Sequence, residues 1–359
     1  MLKYIYNILE LQTVFQGSDG DFTVIKDTSD LCGTPAGDNI TLTRIDDATL
    51  RIAIGDSDGG LFTRDFVKKS WGMWMMGAMK YTTNNGTEHC ISSSSTDYEL
   101  AFRVGGKTPV GIRGGTHGDY PGDKSWRYFE DDSSRYNDRM TDMALYDGEE
   151  GERLELPEVG KSLCVSELFI VIRHSVYEMS YRSENILIDV EKRYLYRGCE
   201  IHLNSTLRMA QRVNFARSFS CMLPIAKAYG NNMMLYNMDG TTTYAKTPIA
   251  PSGSDVIKWN FKATRVELWG DDNPEYHTTV EILNPSDQFI GADDQRSYVG
   301  LRDMRGGSSN KVYFAFGSSG ITMERGEILH FVSKWSFAKI KGFQNPTVEP
   351  DVPVSVPLQ

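Results

Sequence analysis

A single histidine stands in a glycine-rich run at residues 114–119, which reads Gly-Gly-Thr-His-Gly-Asp. Small neighbours leave the imidazole of His117 accessible, and glycines in a strand mark a bulge or a place where a ligand approaches the main chain. Arg113 directly precedes the run, and Asp119 closes it. The run therefore indicates either a binding or catalytic histidine or a glycine-rich turn whose histidine is solvated.

A second group of polar and aromatic residues occupies positions 173–182 and reads Arg-His-Ser-Val-Tyr-Glu-Met-Ser-Tyr-Arg. Alternate residues of a strand share a face, so Arg173, Tyr177 and Tyr181 are expected on one side. A guanidinium can bind a carboxylate through two parallel hydrogen bonds, and a phenol can donate a proton. This face could hold a carboxylated sugar, or it could be a polar outer face with tyrosines packed across neighbouring strands.

Together the two groups contain the parts needed for β-elimination on a uronic-acid polysaccharide. Arg113 and Arg173 would bind and neutralise the sugar carboxylate, which lowers the pKa of the C5 proton. His117 would remove that proton, and Tyr177 or Tyr181 would protonate the leaving glycosidic oxygen. Asp119 is expected to contact the substrate in the same place. This scheme requires neither a metal nor a cofactor.

Hydrolysis is the competing chemistry, and it requires two carboxylates at a defined separation. The candidates are Asp119, Asp123, Glu130 and Asp131. The phosphate-binding loop, the dinucleotide fingerprint and the H-E-x-x-H motif are absent from the sequence, which argues against nucleotide-driven and zinc-dependent hydrolase functions. The five cysteines lack C-x-x-C spacing. We therefore expect reduced thiols at the time of folding, without a zinc site or a disulfide framework.

The charge and hydropathy of the chain exclude further classes of function. A net charge of −10 and a pI near 5.2 argue against non-specific binding to nucleic acid or to anionic membranes. No stretch approaches the roughly 18 apolar residues needed to span a bilayer. The first residues lack the charged start, apolar core and cleavage site of a signal peptide. We expect no nucleic-acid partner, no membrane insertion and no signal peptide.

Short runs of β-branched and aromatic residues follow one another from residue 40 onward. They alternate in period two or read as buried strands, and they lie at residues 40–45, 49–54, 167–173, 186–190, 194–203, 208–215, 218–223, 311–316 and 328–340. Strands do not alternate with helical segments in this pattern. The sequence therefore predicts an all-β fold, specifically a jelly-roll-like antiparallel β-sandwich.

The composition divides the chain into three regions. Residues 1–39 are expected to form a short N-terminal attachment or assembly segment, and residues 40–345 the sandwich. Residues 346–359 are proline-rich and are expected to be an extended tail, because proline cannot donate to a strand ladder. Within the sandwich, residues 118–160 are acidic with little periodicity, which predicts a long loop beside His117.

Several of these segments resemble β-sandwich proteins of bacteriophage tails, some of which are polysaccharide lyase-like depolymerases. The run at 114–119 resembles a GGxHG-acid motif of that group. Residues 311–316, 325–329 and 335–337 look like its closing pair of long strands, and residues 220–225 are similar to a recurring strand.

The resemblance implies a virion tail protein that is folded in the host cytoplasm and recognises a bacterial surface glycan, with His117 at the position of the motif histidine. It implies depolymerisation of that glycan by β-elimination, contacts with other tail proteins, and a homo-oligomer, with a trimer favoured. The alternative is a non-catalytic structural or receptor-binding tail protein. In that case the same residues only shape a loop or a sugar-binding shelf.

Overall fold

The computed structural model describes residues 40–69, 72–93, 98–100, 104–105, 138–177, 185–215, 218–249, 256–284, 299–304, 308–316, 321–347, 350 and 352–353. Within them the chain forms strands and one four-residue helix. In chain order these elements are β1 (Ile40–Asp46), β2 (Thr49–Gly55), β3 (Leu61–Lys68), β4 (Trp74–Thr82), β5 (Glu88–Ser92), β6 (Val104–Gly105), β7 (Asp138–Asp147), β8 (Arg153–Leu154), β9 (Ser162–Val165), β10 (Leu168–Tyr177), β11 (Ile186–Arg197), β12 (Glu200–Met209), β13 (Val213–Phe215), β14 (Ser218–Ala226), α1 (Lys227–Gly230), β15 (Asn232–Asn237), β16 (Thr242–Lys246), β17 (Val256–Phe261), β18 (Ala263–Trp269), β19 (Tyr276–Ile282), β20 (Val299–Met304), β21 (Ser309–Phe316), β22 (Ile321–Met323), β23 (Ile328–Lys339) and β24 (Val352–Pro353).

The predicted all-β antiparallel sandwich is confirmed. An eleven-stranded sheet, called the long sheet below, has the order β24-β16-β15-β18-β19-β23-β12-β11-β10-β7-β8, and a six-stranded sheet has the order β5-β4-β3-β2-β1-β9. Sheets of four strands (β14-β21-β20-β17) and three strands (β22-β13-β6) complete the described fold. Neighbouring strands run antiparallel, except that β24 pairs in parallel with the edge strand β16.

One hydrophobic core joins the sheets, because alternate residues of each strand face inward. The rings of Phe66 and Tyr194 meet edge to face at 5.3 Å between the six-stranded and long sheets, and Phe62 stacks on Phe337 at 5.0 Å. Along β11 the buried and more exposed positions alternate almost without interruption. The long sheet therefore has a core face, packed against the other sheets, and an opposite outer face that carries the polar side chains.

Two expectations about local structure were wrong. The predicted strand at 194–203 is two strands, because Gly198 takes a left-handed conformation (φ 53°) and closes a two-residue hairpin between Arg197 and Glu200. The region 118–160 is not one long loop, since β7 within it pairs with β10 along its whole length. Cross-strand pairing with a buried neighbour outweighs the weak periodicity of β7.

The cysteines also differ from expectation. Cys90 and Cys164 are exposed free thiols and Cys221 is a buried one, whereas Cys199 is disulfide-bonded. The sequence signalled no disulfide, and Cys199 departs from that expectation. Spacing in the sequence could not reveal this, because a disulfide depends on which residues the fold brings together.

Candidate functional site

The sequence-predicted site residues fall into two sets. His117, Arg113, Asp119 and Tyr181 lie outside the described residues, so their roles stay predictions. Arg173 and Tyr177 lie on β10, which is described throughout.

The prediction that alternate residues of β10 share a face is confirmed. Arg173 is exposed on the outer face of the long sheet, and Val176 on the other side belongs to the core. Tyr177 is half-buried, and the guanidinium of Arg139 lies over its ring at 4.1 Å. Tyr177 is four positions after Arg173, which places the two residues about 13 Å apart along the strand. They cannot both contact the same atom of one sugar ring.

Arg173 is held by acidic side chains from both neighbouring strands. Its Nε donates to Glu191 at 2.7 Å, and its Nη1 donates to Asp142 at 3.1 Å. Burial raises the pKa of Glu191, but hydrogen bonds from Arg173 and Arg193 outweigh burial and lower it overall. With two carboxylates on its guanidinium, Arg173 is already neutralised. The role predicted for it, neutralising a substrate carboxylate, is not favoured.

A shallow depression of about 340 Å³ opens on the outer face beside Arg173. Strands β7, β10, β11 and β12 form its floor, and we call it the polar depression. Its lining residues are Thr141, Arg173, His174, Ser175, Asp189, Val190, Glu191, Thr206 and Arg208. Hydroxyl groups and charged side chains of both signs therefore converge in one place, which suits a hydroxylated and charged ligand.

Arg208 differs from the other cations of the polar depression. It is exposed, and no hydrogen bond, ion pair or ring contact involves it among the described residues. Its cross-strand neighbour Asp189 instead accepts a hydrogen bond from Ser175 at 2.7 Å. Sequence reasoning missed Arg208, since only the strand pairing places it beside Arg173 and Ser175. Since no described residue occupies the guanidinium of Arg208, this group can bind a carboxylate ligand.

His330 lies beside the polar depression on β23. His330 pairs across the strands with Thr206, so it is the diagonal cross-strand neighbour of Arg208 on the same face. The backbone positions of such diagonal neighbours lie about 7 to 8 Å apart. Its Nε2 is 2.6 Å from the Oδ1 of Asn204, which fixes the proton on Nε2. Burial and the nearby Arg193 lower the pKa of His330 from its usual value of 6.5. At neutral pH His330 therefore carries a lone pair on Nδ1.

A third group of titratable residues surrounds the carboxylate of Glu267, which is buried farther along the outer face. Glu267 accepts from Nδ1 of His277 at 2.7 Å and from the hydroxyl of Tyr236 at 2.7 Å, and Arg265 approaches at 3.4 Å. Burial opposes ionisation, but these donors lower the pKa of Glu267 to about 2. The Nε2 of His277 meets the carbonyl of Pro274 at 2.9 Å. Both ring nitrogens are thus occupied, which favours a structural role.

Among the described residues, no group of three or more His, Cys, Asp or Glu side chains is arranged to hold a metal ion. The acidic loop residue Asp271 instead accepts from Asn231, Asn232 and Lys246. No helix of the described ranges is long and apolar enough to cross a membrane.

The comparison with family models and the comparison with curated proteins each found no match to this chain. Solved structures with a similar fold include the galactosidase domain of an α-galactosidase-sucrose kinase (9 % identity, 80 % of this chain, 40 % of that chain, TM-score 0.44). They also include the Slr1438 protein from Synechocystis sp. PCC 6803 (12 % identity, 82 % and 98 % of the two chains, TM-score 0.45). A putative aldose 1-epimerase from Klebsiella pneumoniae aligns with 9 % identity over 87 % and 86 % of the chains, with a TM-score of 0.42.

This chain spans about 40 % of the length of the galactosidase chain that it matches. At these identities and TM-scores the similarity carries no argument about activity or ligand.

Proposed function

We propose that this protein binds an acidic carbohydrate at the polar depression on the outer face of the long sheet. The observation that carries the proposal is Arg208, an exposed guanidinium without an acidic partner among the described residues, in a depression lined by hydroxyls and carboxylates. Burial of charge without a partner is costly, but an exposed arginine on a polar floor is ready to bind an anion.

Each class of lining residue has a matching group on an acidic sugar. The planar guanidinium of Arg208 presents two parallel N–H groups to a carboxylate. Thr141 and Thr206 provide hydroxyls that donate and accept, and Asp189 accepts from sugar hydroxyls. Because the protein is acidic overall, with a net charge of −10, a polyanion would be repelled elsewhere on the surface. Binding is therefore expected to depend on this local cation.

The test is binding of a uronic-acid oligosaccharide, measured by calorimetry at low salt. Arg208→Ala should weaken binding by about tenfold or more, as expected for loss of a charge-assisted bidentate contact. Arg153→Ala is the matched control, since Arg153 is an exposed arginine of the same sheet without a described partner. The register places it beside Tyr146, five residues along β7 from Thr141, or about 17 Å. Equal affinity for both variants would refute the proposal.

A second candidate function, β-elimination on the bound glycan, is favoured by His330. An imidazole with a free Nδ1 lone pair and a guanidinium lie diagonal to each other on one face. With the carboxylate on Arg208, Nδ1 would take the C5 proton, and the C–H electrons would form the C4=C5 bond. The C4–O bond would break toward oxygen, which would regain the proton from the imidazolium.

The elimination is followed by the ultraviolet absorbance of the unsaturated uronate. His330→Gln should abolish the absorbance rise while affinity for the oligosaccharide stays within about twofold. Reducing ends without that absorbance would indicate hydrolysis, and retention of intact glycan would indicate binding alone. The catalytic role predicted for His117 is tested in the same assay with His117→Ala.

Attachment to a phage tail and a trimeric state stay predictions of the resemblance. Detection of the chain in purified virions, with sedimentation of the isolated protein, tests both.

A further inference from the structure

Two charged side chains are fully buried in the core between the six-stranded sheet and the long sheet. Arg64 on β3 and Glu99, in the described residues 98–100, both have an exposed fraction of 0 %. They do not form a direct ion pair with each other, because no N···O distance between them is within 4.0 Å. Buried charges are retained in folded proteins when they are paired or hydrogen-bonded. This arrangement therefore needs a compensating group.

The guanidinium of Arg64 meets only weak partners in the described chain. Its Nη2 lies 3.7 Å from the sulfur of Met76, and its Cζ lies 3.9 Å above the ring of Tyr98. Its Nε and Nη1 are buried, and neither contacts an acceptor. A thioether and an aromatic ring supply less than the oxygen acceptors that a guanidinium ordinarily has. Two nitrogen atoms of Arg64, with three N–H bonds between them, are thus unmatched.

The carboxylate of Glu99 is matched on one oxygen only. Its Oε1 accepts from the main-chain N–H of Met76 at 2.6 Å and from the hydroxyl of Tyr194 at 3.1 Å. Its Oε2 is buried without a hydrogen-bond partner among the residues that the structure describes, and so is the hydroxyl of Tyr196. Burial raises the pKa of Tyr196, while Arg64 acts to lower it and Glu99 to raise it. Tyr196 lies two residues from Tyr194 on the core face of β11, so its hydroxyl belongs to the same layer of the core as the Glu99 carboxylate that Tyr194 contacts.

The unmatched groups are complementary in their chemistry. The Arg64 nitrogens need hydrogen-bond acceptors, the Glu99 oxygen needs a donor, and the Tyr196 hydroxyl can use either. A small molecule that both donates and accepts hydrogen bonds would satisfy all of these groups. We propose that an ordered water in this core site bridges the Arg64 guanidinium, the Glu99 carboxylate and the Tyr196 hydroxyl. Buried waters typically make about three such hydrogen bonds.

The charge of the site selects water over an ion. Arg64 and Glu99 are opposite and equal in charge, so neither an anion nor a cation gains net attraction from the pair. An anion at the guanidinium would also lie close to Glu99, where the low dielectric of the core strengthens repulsion. A neutral dipole avoids that repulsion.

The sign of a stability change tests the proposal. Tyr196→Phe removes one partner of the water and should increase the equilibrium constant for unfolding by about fivefold. If the hydroxyl had no partner, its removal would leave stability unchanged or increase it, which would overturn the proposal. Tyr244→Phe is the control, since the hydroxyl of Tyr244 bonds directly to Asn232 at 2.6 Å, and its loss should destabilise.

A crystal structure near 1.5 Å resolution, with a bromide-soaked crystal for comparison, gives the second readout. A water peak within hydrogen-bond distance of Arg64 and Glu99, without anomalous signal, is the expected result. Direct contact between the two side chains, or a bromide at the site, would overturn the proposal. The buried pair Lys227 and Asp303, in direct contact at 2.5 Å, is the internal control and should show no bridging water.

Discussion

Replacing Glu267 by glutamine tests how the outer face of the long sheet holds a buried carboxylate. Glutamine keeps the size of the side chain but removes its charge, so His277 and Arg265 lose their shared partner. Glu267 is 6 % exposed, which leaves little solvent to compensate for this loss. We expect Glu267→Gln to lower the free energy of unfolding at pH 7 by about 3 kcal/mol, in the range for breaking one side of a buried pair.

The pH dependence follows from the difference between the folded and unfolded carboxyl. The pKa of Glu267 is about 2 in the folded state, against an ordinary value of 4.5. A carboxyl whose pKa is lower in the folded state than in the unfolded state stabilises the protein at pH values above its unfolded-state pKa. That stabilisation is lost as the pH falls toward the folded-state pKa. The ionised Glu267 carboxylate contributes about 3 kcal/mol to the free energy of unfolding at pH 7, and about 2 kcal/mol of this is lost between pH 7 and pH 3.

Urea unfolding at pH 7 and at pH 3 measures this contribution. Between pH 7 and pH 3 the free energy of unfolding of the wild-type chain should fall by about 2 kcal/mol more than that of Glu267→Gln. The variant has no carboxyl to titrate at this position. Glu155→Gln is the control, since Glu155 is exposed and has no described partner. That variant should follow the wild type.

Equal losses for the wild type and Glu267→Gln would refute the reasoning. They would mean that the hydrogen bonds from His277 and Tyr236 do not hold the carboxyl in its ionised form.

Two further predictions concern glycine positions and thiols. Gly270→Ala should prevent folding at 37 °C, because the added Cβ would lie 1.8 Å from the carbonyl oxygen of Ala228. Gly198→Ala should lower the free energy of unfolding, measured by thermal unfolding, by only about 1 kcal/mol. Its added Cβ meets no atom within 4 Å, so the cost comes from the left-handed φ alone. Burial raises the pKa of Cys221 to about 12, so mass spectrometry after brief alkylation should find Cys90 and Cys164 modified and Cys221 modified only in denaturant.

Much of the fold could be predicted from local patterns, and the errors have physical causes. Period-two alternation identified β1 and β2, because each buries one face in the core. The same pattern could not separate β11 from β12, because Gly198 interrupts it for only two residues. β7 was missed altogether, since its strand conformation depends on pairing with β10.

The candidate site shows a sharper division. The face that carries Arg173 and Tyr177 followed from alternation alone, because side-chain direction in a strand is fixed by the backbone. The acidic partners of Arg173 could not be predicted from the sequence. Glu191 and Asp142 lie on neighbouring strands, and only the folded sheet sets the register of those strands. Arg208 and His330 had no sequence signal, and strand pairing alone places them together.

The sequence by itself determined an acidic, strand-rich chain with one polar and one apolar face on its strands, because composition and period are local properties. Only the tertiary structure decided which charges are satisfied within the chain. Arg173 is neutralised by its neighbours, whereas Arg208 has no acidic partner in the described ranges, although both are arginines on the outer faces of strands. The difference lies in which side chains the sheet places within hydrogen-bond distance, and that is a property of register.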